Sequence, residues 1–495
     1  MNGYLHAATG SIILTGVLTA ACYSPVALSA NDQDDQQLPL PNLAQCVNTE
    51  PPMLPAKWEA TALLQDFVQP ILTEGKFTFD ESADAFRFQL KSGSIQHADY
   101  LATKEGKLYQ LNLDGPVQSC LLASHDSPFT VPDRSILPTS NSECAGNSPI
   151  LGKELDWWKT KSGSVGANWF WTDPVDSSLF RSMYYTKPTQ DSPIYEYFSF
   201  NYFPEFESVS NTDLPDIVKF CEANATDVDQ SAAINLRDLD DMLETSSYQG
   251  LQIEAAASIQ TDSWIDGLTA CDSPSQLPPS WPDKVQASVV MTAVSYNNNP
   301  FPSRVYYDWT KQAQLSTLYV QHPTDSLHAK VALLTNDPNP LLQKKPGVGY
   351  GYNLDGNGSP YQCGIGVLPG PQRPDWKTNA GCKCMARLTP GSALNNSDVP
   401  VSILWCPTDL AQNQVFWTWY DDHGKPNVFM QTNSSPTAGT GLNLADYYQW
   451  VPGSEAPADA FTPPRSCIKH AGSMTKGCYN CHMPVNSTFY PPEKK

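Results

Sequence analysis

Trp169-Phe-Trp-Thr-Asp173 and Trp417-Thr-Trp-Tyr-Asp421 share the pattern W-x-W-x-D, and one copy lies in each half of the chain. After each copy come, in the same order, an aromatic cluster, a proline and a prolyl segment that ends in a cysteine. This shared order indicates that the chain is a tandem duplication of one unit.

Further landmarks recur in the same order on both sides of the duplication. The matched pairs are Cys46 and Trp58 with Cys271 and Trp281, Phe77 to Asp80 with Val305 to Asp308, Asn112 to Gly115 with Asn353 to Gly356, and Cys221 with Cys467. The number of positions that separates matched residues changes slowly along the chain, as loop insertions in the second copy would produce. Solenoid repeats run about 20–50 residues, so a repeat this long is a whole domain.

The composition favours a β-rich class with many turns. Aromatic residues make up 11% of the 495 residues, prolines number 43, and charged residues are only 16%. Each copy is long enough to bury a sizeable core. We therefore predict a first β domain over 41–225, an acidic helical connector over 226–270, a second β domain over 271–467 and a cysteine-containing tail over 468–495.

The charge excludes two classes of partner. A formal net charge of −21 argues against nucleic acid and anionic lipid surfaces, because both require clustered Lys and Arg. The acidity is typical of a soluble exported protein, and association with Ca²⁺ or a cationic partner stays open.

Residues 1–30 resemble a secretory signal peptide. They contain no Lys, Arg, Asp or Glu, and the apolar run from Ser11 to Ala21 is followed by small residues suited to cleavage. A membrane span requires about 20 apolar residues, and the run ends at Cys22. We therefore expect a secreted, extracellular protein without a transmembrane anchor.

The cysteines support export. Removal of the signal peptide leaves an even number, which in an exported chain predicts a disulfide framework with pairing inside each copy. The predicted disulfide cysteines are Cys46, Cys120, Cys144, Cys221, Cys271, Cys363, Cys382, Cys384, Cys406, Cys467, Cys478 and Cys481. Five N-x-S/T sequons, at Asn224, Asn357, Asn395, Asn433 and Asn486, predict a glycoprotein.

Period-two alternation of apolar residues predicts strands in both copies, among them Lys76 to Asp80, Phe86 to Leu90 and Gln314 to Val320. Residues 124–152 are rich in Ser, Pro and Asn, which predicts a loop. Within the connector, Ile234 to Leu243 carries apolar residues at helical spacing.

The order of these motifs resembles the ependymin-related and LolA-like proteins. The resemblance implies two tandem half-open antiparallel β-barrels, each with helical elements over its concave face. It also implies binding of hydrophobic molecules such as lipid acyl chains, and some members are calcium-associated extracellular glycoproteins. Trp169, Trp171, Trp417 and Trp419 are positional candidates for contacting such a ligand, because residues that alternate along a strand share one face. The alternative is that these indoles fill a core.

The tail contains Cys478-Tyr-Asn-Cys-His482, which matches the C-x-x-C-H haem attachment motif. A haem would use Cys478, Cys481 and His482. The even cysteine count favours a disulfide over haem, and zinc is a third alternative. We expect no cofactor and no metal.

Sequence motifs for catalysis are absent, including G-x-S-x-G, H-E-x-x-H and the P-loop, so we expect a protein that is not an enzyme. The polar residues that match between the copies are Asp80 with Asp308, Asp114 with Asp355 and Asp173 with Asp421, at strand ends where Asp is favoured structurally. The sequence predicts a secreted binder of a hydrophobic small molecule or lipid. An extracellular structural or adhesive glycoprotein is the first alternative, and a haem-carrying redox protein is the second.

Overall fold

The computed structural model describes residues 38–41, 43–66, 72–91, 98–112, 118–125, 131, 134, 142–160, 167–185, 198–227, 263–293, 300–321, 327–335, 348–354, 360–366, 371, 373–409, 414–433 and 441–463. These residues form a mainly β protein with two large sheets. The signal peptide, the predicted connector helix and the C-x-x-C-H tail lie outside the described residues.

The first sheet has twelve strands. They are β1 (Lys57–Asp66), β2 (Leu72–Asp80), β3 (Ala85–Lys91), β4 (Ala98–Thr103), β5 (Leu108–Asn112), β6 (Ser119–Ser124), β7 (Ser142–Ile150), β8 (Lys153–Thr160), β9 (Ala167–Thr172), β10 (Leu179–Tyr185), β11 (Phe198–Ser208) and β12 (Thr226–Asp227).

The second sheet also has twelve strands. They are β13 (Leu268–Thr269), β14 (Lys284–Ala293), β15 (Phe301–Asp308), β16 (Ala313–Gln321), β17 (Leu327–Thr335), β18 (Val348–Leu354), β19 (Pro360–Gly366), β20 (Lys383–Leu388), β21 (Val401–Asp409), β22 (Gln414–Asp421), β23 (Pro426–Asn433) and β24 (Gly441–Pro452). Helices α1 (Leu214–Asn224) and α2 (Trp376–Asn379) and a 3₁₀ turn (Glu81–Ala83) complete the described elements.

The two sheets have one strand order. In the first, the order is β6-β5-β4-β3-β2-β1-β11-β10-β9-β8-β7, and the second repeats it as β19-β18-β17-β16-β15-β14-β24-β23-β22-β21-β20. Each is an antiparallel meander whose first and eleventh strands pair. Each is also open between its sixth and seventh strands, so neither sheet is a closed barrel. The two short strands extend the edges: β12 runs parallel to β6, and β13 runs antiparallel to β20.

The strand register matches as well. Lys57 lies opposite Asp80 in the first sheet, and Lys284 lies opposite Asp308 in the second. From these anchors, residues of β1, β2 and β11 can be assigned register equivalents in β14, β15 and β24. Trp58, for example, occupies the position of Val285, and Phe79 that of Tyr307.

The two sheets pack on each other through a shared core. This core contains buried side chains from β1, β2 and β7 to β11 of the first sheet and from β14 and β20 to β24 of the second. Tyr202 and Trp419, one from each sheet, have ring centroids 4.5 Å apart. No helix among the described residues has the length and apolar character that crossing a membrane requires.

The prediction of a loop over 124–152 is wrong in its second part, because residues 142–150 form β7. The run Ser-Glu-Cys-Ala-Gly-Asn-Ser-Pro-Ile has no regular alternation, and its register shifts between Cys144 and Gly146. Pro149 is tolerated because β7 is the last strand in the sheet order, and proline is confined largely to such edges.

Candidate functional site

The four candidate tryptophans lie in the shared core. Trp169 and Trp171 on β9 and Trp417 and Trp419 on β22 are each 0% exposed. Period-two alternation places each pair on the sheet face that meets the other sheet. A ligand could reach them only if the two sheets separated.

One ion pair crosses this core. Arg181 on β10 donates from Nη1 and Nη2 to the two carboxylate oxygens of Asp446 on β24, at 2.7 and 3.0 Å. The guanidinium carbon lies 4.0 Å from the centroid of the Trp171 ring. Burial would lower the pKa of Arg181, but the Asp446 carboxylate outweighs it and the pKa is raised.

The matched aspartates cap turns. Asp80 accepts hydrogen bonds from the Ser82 amide and from the Thr212 hydroxyl, at 2.9 and 2.6 Å. Burial acts to raise the pKa of Asp80, but these bonds and the Lys57 ammonium lower it to about 2. Asp308 accepts from Thr310 Oγ1 at 2.6 Å.

The second matched pair has the same kind of role. Asp173 accepts from the Val175 amide at 2.8 Å, and Asp421 accepts from the amides of His423 and Lys425 at 3.0 and 2.8 Å. These contacts hold turns. Asp114 and Asp355 lie outside the described residues.

Among the described residues, four disulfides join cysteines of the same half, as the sequence predicts. They are Cys46–Cys144, Cys120–Cys221, Cys271–Cys384 and Cys382–Cys406. Cys46 and Cys271 each precede the first long strand of their half, and their partners lie on the seventh strand of the meander, β7 and β20. Within the part of the chain that the structure describes, no three His, Cys, Asp or Glu side chains form a metal-binding group.

The best candidate for an apolar site lies on the opposite face of the first sheet. Eight aromatic rings from β1, β2, β3, β4 and β11 contact one another there. We call this set the aromatic ladder, and its members are Trp58, Phe77, Phe79, Phe86, Phe88, Tyr100, Phe203 and Phe206. Adjacent centroids lie 5.1 to 6.2 Å apart, within the range of favourable ring contacts.

Four rings of the ladder are only partly buried: Phe77, Phe86, Phe203 and Phe206. The rings of Phe77 and Phe86 are nearly parallel, at 2°. Gly75 precedes Phe77 by two positions on the same face, and a Cβ atom there would come within 2.8 Å of the Phe77 ring. Glycine therefore lets the Phe77 ring lie back across β2.

A short cover lies on the ladder. Leu54 is buried against it, and Val131 packs on it. The Leu54 amide donates to the carbonyl of Arg134 at 2.7 Å, and Arg134 Nε donates to the carbonyl of Leu54 at 3.1 Å. These reciprocal hydrogen bonds hold the described part of the cover in place.

In the second sheet two tryptophans from outside the long strands pack over the equivalent face. Trp281, which precedes β14, and Trp376 of α2 are 6% and 5% exposed and pack over this face. Trp281 Nε1–H donates to the Tyr420 hydroxyl at 3.0 Å. The Lys377 ammonium donates to the carbonyl of Pro279 at 2.8 Å and lies 4.3 Å from the centroid of the Tyr420 ring.

Lys377 is the most perturbed basic group of this face. It is 2% exposed, and burial lowers the pKa of its ammonium to about 7. Its hydrogen bond joins α2 to the segment before β14, so it is positioned to hold the two parts of the cover together.

The aromatic ladder does not emerge as a site from sequence alone. The alternation of apolar residues predicts the strands that carry the rings. It does not reveal which rings from β1, β3 and β11 share a face. The pairings that bring them together join residues as distant as Ala60 and Phe206.

Comparisons with known proteins give no family. No protein-family model matches the chain, and none of the curated proteins is similar in sequence. Among solved structures, an uncharacterized conserved protein from Thermus thermophilus is 13% identical, with 35% of this chain and 92% of that chain covered and a TM-score of 0.24. MucB of the Pseudomonas aeruginosa MucA/MucB complex is 11% identical, with 56% and 82% covered and a TM-score of 0.21. Likenesses this distant indicate neither a ligand nor a partner for this chain.

Proposed function

We propose that the protein is a secreted, non-catalytic binder of an apolar ligand, and that the aromatic ladder is its binding surface. The observation that carries the proposal is the contiguous set of eight rings, of which Phe77, Phe86, Phe203 and Phe206 are partly exposed. Burial of apolar surface contributes about 25 cal/mol per Å², so a ligand that covers these rings would gain affinity without polar contacts. Contiguous exposed apolar patches commonly mark binding sites.

The contrast between the halves supports this placement. In the second half Trp281 and Trp376 lie over the equivalent face, where Phe429, Tyr447 and Trp450 are partly buried. In the first half the cover that the structure describes consists of Leu54, Val131 and Arg134. The two halves thus differ in the segments that cover this face, and α2 with Trp376 has no described counterpart in the first half.

We infer further that the halves descend from one duplicated unit of the LolA-like or ependymin-related type. The identical strand order, the matched Lys57–Asp80 and Lys284–Asp308 register and the matched first disulfides support this descent. An open antiparallel sheet that presents one apolar face is also the architecture that such ligand carriers would need.

Secretion is part of the same proposal. Four disulfides in the described residues are typical of oxidising compartments. The apolar leader at residues 1–30 and the N-x-S/T sequons are compatible with export and glycosylation. Association with Ca²⁺ stays a prediction.

A fluorescence titration tests the proposal. N-phenyl-1-naphthylamine, a neutral apolar dye that brightens when buried, should bind the wild-type protein, and the double variant Phe77→Ala with Phe86→Ala should bind it at least tenfold more weakly. The matched control is Val305→Ala, because Val305 is the register equivalent of Phe77 on the same face of the second half. Its affinity should equal that of the wild type.

Two results would contradict the proposal. Absence of dye binding to the folded wild-type protein would favour the adhesive or structural alternative. Binding that survives in the double variant would place the apolar site elsewhere in the molecule.

A further inference from the structure

Trp58 and Trp281 take the same place on their sheets although they come from different chain positions. Trp58 lies 5.8 Å from Phe79 and 5.1 Å from Phe206, measured between ring centroids. Trp281 lies 5.4 Å from Tyr307 and 5.3 Å from Trp450. The β1/β2 and β14/β15 registers make Phe79 equivalent to Tyr307. The β1/β11 and β14/β24 registers make Phe206 equivalent to Trp450.

The two indoles differ in their polar partner. Trp281 Nε1–H donates to the Tyr420 hydroxyl. The equivalent of Tyr420 is Thr172, one residue after the second tryptophan of the repeated motif, and its hydroxyl accepts from Trp158 Nε1 at 3.2 Å. Trp58 is 5% exposed, and its Nε1–H has no hydrogen-bond partner among the described residues.

A buried donor without an acceptor is costly, because it loses its hydrogen bond to water. In the second half the hydroxyl oxygen of Tyr420 accepts the hydrogen bond from the indole. The first half has the same indole in the same place, next to partly exposed rings and without the phenol.

The ring geometry also favours a flat guest. Several neighbouring rings of the ladder are stacked, at 2° for Phe77 with Phe86 and 26° for Trp58 with Phe206, whereas Trp58 with Phe86 and Phe77 with Phe203 are tilted by 52°. Offset stacking between flat rings contributes beyond buried area alone, whereas a flexible chain loses rotational freedom when it binds.

We propose that the aromatic ladder binds a flat, ring-containing apolar ligand that carries an oxygen acceptor, and that Trp58 Nε1–H donates a hydrogen bond to that oxygen. This inference rests on the proposed function and specifies its ligand class. The ligand's oxygen accepts a hydrogen bond from Trp58, as the Tyr420 hydroxyl does from Trp281 in the second half. The hydrocarbon part of a flexible chain has no oxygen and would leave the Trp58 donor unpaired.

Fluorene and 9-fluorenone test this, because they share one ring skeleton and differ by a single ketone. Their affinities, and that of palmitate as a flexible chain, would be measured on the full-length wild-type protein and on Trp58→Phe, which keeps a ring and removes the donor. The matched control is Trp281→Phe, which removes the equivalent donor from the second half.

We expect fluorenone to bind wild type on the order of fivefold more tightly than fluorene, the size typical of one net hydrogen bond. Trp58→Phe should reduce this ratio to about one, and Trp281→Phe should leave it unchanged. In wild type, the Trp58 indole ¹⁵N–¹H resonance should shift further with fluorenone than with fluorene, a readout that does not depend on how well the variant folds.

Equal affinities of wild type for fluorene and fluorenone would overturn the inference, as would a ratio that Trp58→Phe leaves intact. Tighter binding of palmitate than of either ring compound would also overturn it while leaving the proposed function standing. If none of the three compounds binds, the proposed function fails together with the inference.

Discussion

Arg181 and Asp446 form a bidentate ion pair inside the protein, with Nη1 of the arginine 2.7 Å from Oδ1 of the aspartate and a separation of 265 positions in the sequence. Their side chains are 0% and 6% exposed. The register equivalents of Arg181 and Asp446 are Val428 and Tyr202, so each charge occurs in one half only. The ion pair can therefore form between a first half and a second half, but not between two copies of the same half.

Removal of one partner should be costly. Asp446→Asn leaves the Arg181 charge buried without its counterion, and the free energy of unfolding should fall by about 3–5 kcal/mol. Urea denaturation followed by tryptophan fluorescence measures this. The double variant Arg181→Met with Asp446→Leu should recover most of the loss, since an apolar pair needs no charge compensation. A loss below about 1 kcal/mol in Asp446→Asn would contradict the role assigned to the pair.

Lys377 should make stability depend on pH. Its folded-state pKa of about 7 lies below the ordinary value of 10.5, so between these values the unfolded chain binds more protons than the folded one. Stability contributed by this group should therefore rise from pH 7 to about pH 10, by at most about 1.4 kcal/mol per pH unit. In thermal unfolding, the stability of Lys377→Met should not show this rise with pH. The stability of Lys104→Met, a variant at an exposed lysine, should still show it. Parallel pH profiles for wild type and Lys377→Met would contradict the prediction.

The duplication predicts one further disulfide. Cys120 on β6 is bonded to Cys221 on α1, and the matched cysteines of the second half are Cys363 on β19 and Cys467. Cys467 and the side chain of Cys363 lie outside what the structure describes. We expect peptide mass spectrometry under non-reducing conditions to recover a Cys363–Cys467 link. A link from Cys363 to Cys478 or Cys481 would argue against equivalent frameworks in the two halves.

Two sequons should behave differently. The Asn395 amide nitrogen donates to the carbonyls of Leu388 and Val399 in a buried site, so a glycan there is incompatible with the fold. Asn224 is exposed at the end of α1. After expression through a eukaryotic secretory pathway, glycopeptide analysis should find carbohydrate on Asn224 and none on Asn395. A folded protein with glycan on Asn395 would contradict this local structure.

Much of the strand pattern could be predicted because alternation is local. The predicted runs Lys76 to Asp80, Phe86 to Leu90 and Gln314 to Val320 lie within β2, β3 and β16. Irregular edge strands escaped prediction, as β7 illustrates, because Gly146 and Pro149 interrupt the period.

The candidate site was harder to predict. Alternation along β9 is equally compatible with a ligand on Trp169 and Trp171 and with their burial, and the choice depends on which face of β9 meets the second sheet. That contact joins residues hundreds of positions apart, such as Tyr202 and Trp419. The ladder has the same difficulty, since β1 and β11 must pair before Trp58 and Phe206 meet.

Photolabelling tests the central claim most directly. An apolar phenyl diazirine, activated on the folded protein and mapped by peptide mass spectrometry, should label β2, β3 and β11 around Phe77, Phe86 and Phe203, and excess fluorenone should suppress the labelling. Labels concentrated on Trp169 to Trp171 or Trp417 to Trp419 would contradict the account, because they would place the apolar ligand between the sheets and not on the aromatic ladder.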